Sequence, residues 1–334
     1  MDYVIIWAAL MALAVFAYVI LDGFDLGIGI LFPFIKSQKD KALAMNTITP
    51  FWDGNETWLV LGGGGLYATF PLAYSIIFPA IYAPLIVMLL SLIFRGVAFE
   101  FRWKAETKKG RKSWDLAFAL GSLSATFSQG VALGALVQGI EVQNRSYAGG
   151  WWDWLSWFSV TTGLALVVGY SLLGACWLIY KTENRLQEFA YKYAKKAAVM
   201  MIVMIGVVSL WMTFKQSAYM NRWFDYPNWV YLSPIPLLVA ALSVLLIMSL
   251  KRRNELSPFL FTVGLFVLSY FGLLISFYPN IVPESVTIWQ AAAPESSLKF
   301  LLIGSSILIP MIIAYTSYSY WIFRGKVKQD ESYH

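Results

Sequence analysis

Long apolar stretches dominate the chain, and short polar connections separate them. A stretch of about 20 apolar residues is long enough to cross a bilayer as a helix. We predict nine such helices, over residues 3–34, 48–70, 75–101, 114–140, 154–180, 197–216, 231–250, 258–278 and 298–323. The first stretch is longer than a crossing needs, so we expect it to extend beyond the bilayer or to break at Gly27–Gly29 and Pro33. The pattern predicts an all-α integral membrane protein, a single polytopic domain over residues 1–334 with its helices in bundles.

The composition excludes a soluble enzyme. Of the 334 residues, 59% are hydrophobic and only 13% are charged, whereas soluble domains have about 25% charged residues. One cysteine, Cys176, allows no intrachain disulfide framework. The one histidine, His334, is the last residue. We therefore expect no imidazole ligands for haem, copper or zinc within the membrane.

The connections between the predicted helices alternate in charge. Of the 25 Lys and Arg residues, 20 fall in one alternating set of connections with the C-terminal tail, 4 fall in the other set, and Arg95 lies within a helix. Cytoplasmic loops carry the excess of Lys and Arg. This distribution places the N-terminus outside and the C-terminus in the cytoplasm. The N-terminus begins with Asp2 and lacks the basic segment of a signal peptide, so we expect the first helix to be retained.

Six charged residues lie within the first three helices, where charges are costly and usually functional. They form three pairs, one in each helix: Asp22 and Asp25; Asp53 and Glu56; Arg95 and Glu100. Both acid pairs are spaced i, i+3, which puts the members of each pair on one helix face. In the predicted orientation, all six residues lie in the cytoplasmic half of the membrane.

Five carboxyls facing one guanidinium cannot all be ionised in a site of low dielectric constant, because desolvation and like-charge repulsion favour their neutral forms. One interpretation is a proton pathway from the cytoplasm, formed by the five acids, with Arg95 as their charge partner. The other is structural: the charges hold the first three helices together or seat a partner. Trp52 and Trp58 flank the second acid pair, and we expect them to pack there or to stack on an aromatic cofactor.

Three motifs carry a resemblance to a known family. L-D-G-F-D-L-G-I-G (21–29), W-D-G-N-E-T-W-L (52–59) and F-R-G-V-A-F-E-F-R (94–102) resemble subunit II of the cytochrome bd-type quinol oxidases. The third motif is closer to the cyanide-insensitive and Gram-positive branch than to the enterobacterial one. The likeness extends to Y-P-N-I-V-P-E-S (278–285) before the last helix and Y-W-I-F-R-G-K-V (320–327) at its end.

The resemblance implies a heterodimer with subunit I in the bacterial cytoplasmic membrane. In this family, subunit I holds two b-type haems, haem d and the quinol-oxidising loop. The complex oxidises quinol and reduces O₂ to water, electrogenically and with protons taken from the cytoplasm. Subunit II ligates no haem iron, and an acid matching Asp53 is associated with a proton route to the haems. The resemblance leaves open whether a small single-helix subunit is present.

Two other functions are compatible with an acid-bearing membrane chain. A stand-alone proton-coupled transporter would often show inverted repeats and interrupted helices near the midplane. Here the acids lie to one side, and the C-terminal half has no matching pattern. A purely structural partner of another membrane subunit differs from the first interpretation only in whether protons pass through the chain.

The charge distribution generates a topology prediction. In a Cys176-free background, single cysteines in the 102–113 and 181–196 connections should resist impermeant thiol reagents added outside intact cells. They should react once the membrane is opened. Ready labelling from outside would contradict the predicted orientation.

Overall fold

The structure is a computed structural model that describes residues 2–327, and it is built almost wholly of helices. Its α-helices are α1 (Tyr3–Leu31), α2 (Gln38–Asn46), α3 (Trp52–Thr69), α4 (Pro71–Ala80), α5 (Tyr82–Lys104), α6 (Lys108–Val137), α7 (Trp157–Lys181), α8 (Asn184–Lys215), α9 (Ser217–Phe224), α10 (Asn228–Leu232), α11 (Pro234–Lys251), α12 (Ser257–Phe277), α13 (Ile288–Ala291) and α14 (Glu295–Ile322). Two antiparallel hairpins lie in connections: β1 (Val142–Gln143) with β2 (Ser146–Tyr147), and β3 (Asn280–Val282) with β4 (Val286–Thr287).

The long helices follow the predicted apolar stretches. Within residues 2–327, eight helical stretches are long and apolar enough to cross a membrane. Helix α3 has 18 residues but is less apolar, because its first turns carry Asp53, Asn55 and Glu56. The all-α membrane fold is thus confirmed. The count of nine crossings and their orientation stay predictions.

The predicted helix over residues 75–101 is wrong in one respect. The chain forms two helices there, α4 and α5, which meet at Ile81. Pro84 has no backbone N–H to donate to the carbonyl of Ala80, so a continuous helix would lack that hydrogen bond. The first helix does not break at its glycines. It continues to Leu31 and ends in a 3₁₀ turn, Phe32–Phe34, that contains Pro33.

Helix α1 forms the centre of the bundle. Every residue from Asp22 to Leu31 is buried, which means that this part of the helix is covered on all sides. Contact with α7 is close because both helices present glycines. A Cβ at Gly27 would lie 1.9 Å from the carbonyl oxygen of Tyr170, and one at Gly174 would lie 2.5 Å from the carbonyl carbon of Gly27. Small residues at such crossings let helix backbones approach each other in membranes.

Charged side chains join α2, α5 and α6 at one end of the bundle, and we call them the Arg102 group. Arg102, which is buried, donates from Nε to Asp115 Oδ1 at 2.6 Å, and Lys41 Nζ lies 3.1 Å from Asp115 Oδ2. Gln38 completes the group with hydrogen bonds to Asp115 and Arg102. Both cations lie near the ring of Phe32. These contacts fix the turn after α1 against the neighbouring helices.

The α1–α7 crossing predicts a strong effect of a single methyl group. Gly27→Ala should lower the thermal unfolding midpoint of the purified protein, because overpacking of a dense contact costs about 1–3 kcal/mol or more. Gly206→Ala in α8 is the matched control, since no atom lies within 4 Å of a Cβ at that position. Equal melting behaviour of the two variants would show that the crossing tolerates added volume.

Candidate functional site

Arg95 lies at the centre of the candidate site. Its helix, α5, buries one stripe at helical spacing: Met88, Ser91, Leu92, Arg95, Ala98, Phe99 and Arg102. The neighbouring α6 approaches through Gly121, where a Cβ would lie 3.2 Å from Arg95 Cβ. The arginine side chain is 1% exposed. A guanidinium buried this deeply needs carboxylate partners nearby.

Helix α1 supplies two of these partners. Arg95 Nη1 donates to Asp22 Oδ1 at 2.8 Å, and Arg95 Nη2 lies 3.9 Å from Asp25 Oδ2. Both aspartate side chains are 0% exposed. The three-residue spacing of the aspartates turns both carboxyls toward α5. Arg95 thus divides its charge between two acids rather than forming the two-bond pair that Arg makes with a single carboxylate.

Helix α3 supplies the third partner. Glu56 Oε2 lies 3.7 Å from Arg95 Nη1, and its side chain is 27% exposed. Asp53, one turn earlier and at the start of α3, is exposed. The acids therefore form a series from the surface inward: Asp53 is exposed, Glu56 is half-buried, and the aspartates of α1 are buried. We call Arg95, Asp22, Asp25 and Glu56 the Arg95 cluster.

Asn55 was missed by the sequence analysis. It is buried, and its Nδ2 donates to Asp25 Oδ2 at 2.8 Å and to the carbonyl oxygen of Leu21 at 3.1 Å. Its Oδ1 accepts a hydrogen bond from Tyr320 of α14 at 2.9 Å. The sequence does contain an indication of its burial, because Asn55 and Trp58 have the i, i+3 spacing of a buried helix face and Asp53 lies outside that face.

The Arg95 cluster carries more negative than positive groups. Three carboxyls surround one guanidinium, so the full set of charges would leave two unbalanced negative charges. Several polar atoms have no hydrogen-bond partner among residues 2–327: Arg95 Nε and Nη2, Asp22 Oδ2 and Asp25 Oδ1. Buried polar atoms of this kind are usually satisfied by bound water. The cluster thus has both the acids and the unpaired polar atoms that proton exchange requires.

The remaining predicted residues lie outside the Arg95 cluster. Glu100 is exposed and makes no ion pair with Arg95. The two lie five positions apart, which turns their side chains to different sides of α5. Trp52 packs on Phe99 with ring centroids 5.2 Å apart, and Trp58 is buried against α1. Of the six predicted intramembrane charges, the structure brings together four.

The described residues offer little to a metal or a haem iron. Residues 2–327 contain no group of three or more His, Cys, Asp or Glu side chains that could hold a metal ion. The buried Cys176 thiol lies 3.6 Å from the hydroxyl of Thr262. His334 lies outside the described residues. We therefore derive no step through a cofactor held by this chain.

A family model described as cytochrome bd terminal oxidase subunit II matches residues 3–323. The chain belongs to this family. The match covers the Arg95 cluster, the Arg102 group and all of the long helices. Together with its apolar helices, membership identifies the chain as a multi-pass protein of the bacterial inner membrane.

Relatives with curated descriptions align over almost the whole chain. The cytochrome bd ubiquinol oxidase subunit 2 of Bacillus subtilis is 29% identical, over 98% of this chain and 97% of the relative. The cytochrome bd-I ubiquinol oxidase subunit 2 of Escherichia coli K12 is 27% identical, over 98% and 95%. These values are too similar to assign a branch of the family, so that part of the resemblance stays a prediction.

A solved structure shares the fold. The bd oxidase from Geobacillus thermodenitrificans contains a chain that superposes with a TM-score of 0.78 at 17% sequence identity, over 97% of this chain and 99% of that one. At this identity the likeness supports the fold alone. It agrees with the helical architecture described above.

The cluster predicts how the protein responds to loss of Arg95. Arg95→Leu leaves Asp22 and Asp25 buried without a counter-charge, which should destabilise the fold by about 3–5 kcal/mol or force protonation of an acid. We expect a low yield of folded protein and a lower thermal midpoint. Addition of Asp22→Asn should restore part of the loss, since it removes one uncompensated charge.

Two controls complete this experiment. Arg95→Lys keeps the charge and should fall between the Leu variant and the wild type. Asp22→Asn alone measures the effect of the second change. Normal yield and stability of Arg95→Leu, without any further substitution, would contradict a structural role for the cluster.

Proposed function

We propose that this chain is the non-haem subunit II of a cytochrome bd-type quinol oxidase, a complex that oxidises quinol and reduces O₂ to water. The observation that carries the proposal is the family match over residues 3–323. The relatives in B. subtilis and E. coli are named as ubiquinol oxidase subunits, which supports a quinol as the substrate of the complex. The chain alone is not the catalytic unit.

The chain's own contribution, on this proposal, is proton uptake from the cytoplasm. Oxygen reduction at a buried centre consumes protons, and hydrocarbon does not conduct them. Asp53 would take a proton from water at the start of α3 and exchange it with Glu56, one turn further along. Glu56 and Asp22 both lie against Arg95 Nη1, and Asp25 lies near Nη2. Ionisable groups inside a membrane serve such relays.

Arg95 has a defined part in this proposal. Its fixed positive charge keeps a proton from staying permanently on one acid, because it stabilises the ionised form of the carboxyl nearest to it. It also holds α1, α3 and α5 at one distance from each other. The decrease in exposure from Asp53 through Glu56 to the aspartates of α1 supports a direction of transfer from the surface inward.

We further propose a haem-bearing subunit I as the partner, with two b-type haems and haem d, and a docking face that includes the exposed side of α3. The carboxyl of Asp53 is exposed at the start of α3, where it would reach water at the edge of this face. Further along the same helix, Gly63 and Gly64 have nothing within 4 Å of a Cβ, so they leave room for a neighbouring backbone. A small single-helix subunit is compatible with this arrangement, and nothing in the chain requires one.

Two alternatives are less well supported. The match over almost the whole length of an oxidase subunit family argues against a stand-alone transporter. A purely structural subunit would need the charge balance of the Arg95 cluster for stability but not its proton exchange. The experiment below separates these two roles.

Asp53→Asn and Glu56→Gln keep shape and hydrogen bonding but remove the exchangeable proton. In the purified complex, we expect both variants to assemble with near-normal partner content. Their oxygen consumption should be slower by at least about tenfold, and at most by the roughly 10²–10⁴-fold that a general acid or base contributes. The loss should grow at high pH, where protons are scarce. Oxygen consumption and charge movement across liposome membranes are the measurements.

Glu100→Gln is the matched control, because Glu100 is an exposed acid of α5 outside the Arg95 cluster. It should leave turnover unchanged. If Asp53→Asn and Glu56→Gln assemble fully and turn over like the wild type at every pH, the acids are structural and the protons follow another route.

A further inference from the structure

The last long helix, α14, makes one polar side-chain contact with the Arg95 region. Tyr320 lies near its C-terminal end, and its hydroxyl donates to Asn55 Oδ1 at 2.9 Å. The Tyr320 ring stacks on Phe51, with centroids 4.3 Å apart and an interplanar angle of 14°. Elsewhere α14 is mostly exposed, and only Leu298 and Ile309 of its 28 residues are buried. The position of Tyr320 therefore depends on its own local contacts.

The hydrogen bonds of Asn55 all run in one donor-to-acceptor direction, from Tyr320 through the amide toward α1. Tyr320 donates to the amide oxygen, and the amide nitrogen donates to Asp25 and to the carbonyl of Leu21. An asparagine amide can turn over and exchange its oxygen and nitrogen positions. The carbonyl of Leu21 can only accept, so it requires the nitrogen on the side that faces Asp25, and the Tyr320 hydroxyl holds the amide in this orientation by donating to its oxygen. The hydroxyl thus helps to hold a donor against a fully buried acid of the cluster without touching that acid.

A buried lysine binds the chain just beyond Tyr320, at the end of α14, and we call these contacts the Lys181 clamp. Lys181, at the end of α7, is buried, and its ammonium donates to the carbonyl oxygens of Phe323 and Gly325. A cation at a helix C-terminus stabilises the unpaired carbonyls there. The backbone adds Val327 N–H to Lys181 oxygen at 2.9 Å. Lys181 and the segment 323–327 are thus bound to each other at the C-terminal end of α14.

An exposed ion pair lies beside the clamp. Lys326 Nζ is 2.8 Å from Glu255 Oε1. The hydrogen bonds that Lys326 and Gln187 donate to the Glu255 carboxyl lower its pKa. Both partners are partly exposed, so the pair contributes little to stability. It therefore provides a control for the buried lysine on the same segment.

We propose that Tyr320 is a positioning residue for Asp25 in proton uptake, acting through Asn55, and that the Lys181 clamp sets its depth. The proposal rests on the proton-uptake function proposed above. An amide between the two groups is a poor proton relay, so Tyr320 acts on orientation and not as a carrier. A donor to a carboxylate stabilises its ionised form, and loss of the fixed donor favours the protonated form.

Tyr320→Phe tests the proposal, because it keeps the stacked ring and removes only the hydroxyl. In the complex, the midpoint of the turnover-against-pH profile should move to higher pH by up to about one unit, which corresponds to up to about tenfold in the proton equilibrium. The thermal midpoint should fall slightly, because the buried Asn55 oxygen loses its donor. Tyr318→Phe is the matched control, since Tyr318 is an exposed tyrosine on the same helix, and its profile should match the wild type.

The outcomes separate this proposal from the proton-uptake function. A shifted profile for Tyr320→Phe alone supports the positioning role. An unshifted profile, with turnover still slowed in Glu56→Gln, overturns the positioning role and leaves proton uptake intact. An unshifted profile with Glu56→Gln also at wild-type turnover overturns both.

The clamp is tested on the same profile. Lys181→Met should expose the segment 323–327 to protease and reproduce the Tyr320→Phe shift, whereas Lys326→Gln should leave the profile in place. A Lys181→Met protein whose segment is cleaved but whose pH profile is unchanged would show that the clamp does not set the position of Tyr320.

Discussion

The structure depends on one requirement: a guanidinium buried at membrane depth must be surrounded by carboxyls. Arg95 lies on α5, and its partners come from α1 and α3. At the observed rotation and depth of the three helices, the side chain lies within 4 Å of all three carboxyls. The tight contact between α1 and α7 fits the same arrangement, because the two backbones approach this closely only where glycines face each other. The ion pairs and the helix packing therefore favour the same position of α1 relative to its neighbouring helices.

The excess of acids in the Arg95 cluster separates it from an ordinary ion pair. A purely structural site would be expected to balance its charges, as the Arg102 group more nearly does with Asp115 between two cations. In the Arg95 cluster, three carboxyls face one cation, and one of them is partly exposed. Such a group is poised to bind and release protons as its surroundings change. This is the physical basis for proposing proton uptake by a subunit whose described residues include no histidine.

Much of the fold could be predicted from hydropathy, because long apolar stretches leave few alternatives to membrane helices. The charged positions were also visible, since Arg95 and its acids interrupt otherwise apolar helices. Contacts between distant parts of the chain could not be predicted. Tyr320 reaches Asn55 across 265 residues, and no periodicity within either helix indicates that pairing. Depth alone groups Glu100 with the cluster, whereas its rotation about α5 turns its side chain away from Arg95.

The central claim is that the Arg95 cluster changes its protonation during turnover. Infrared difference spectra of the complex between its reduced and oxidised states, in H₂O and D₂O, test this most directly. The account predicts a band of a protonated carboxyl that responds to D₂O, disappears in Glu56→Gln and persists in Glu100→Gln. Spectra without any carboxyl band that depends on Glu56, Asp22 or Asp25 would contradict it, since the acids would then keep one protonation state throughout the reaction.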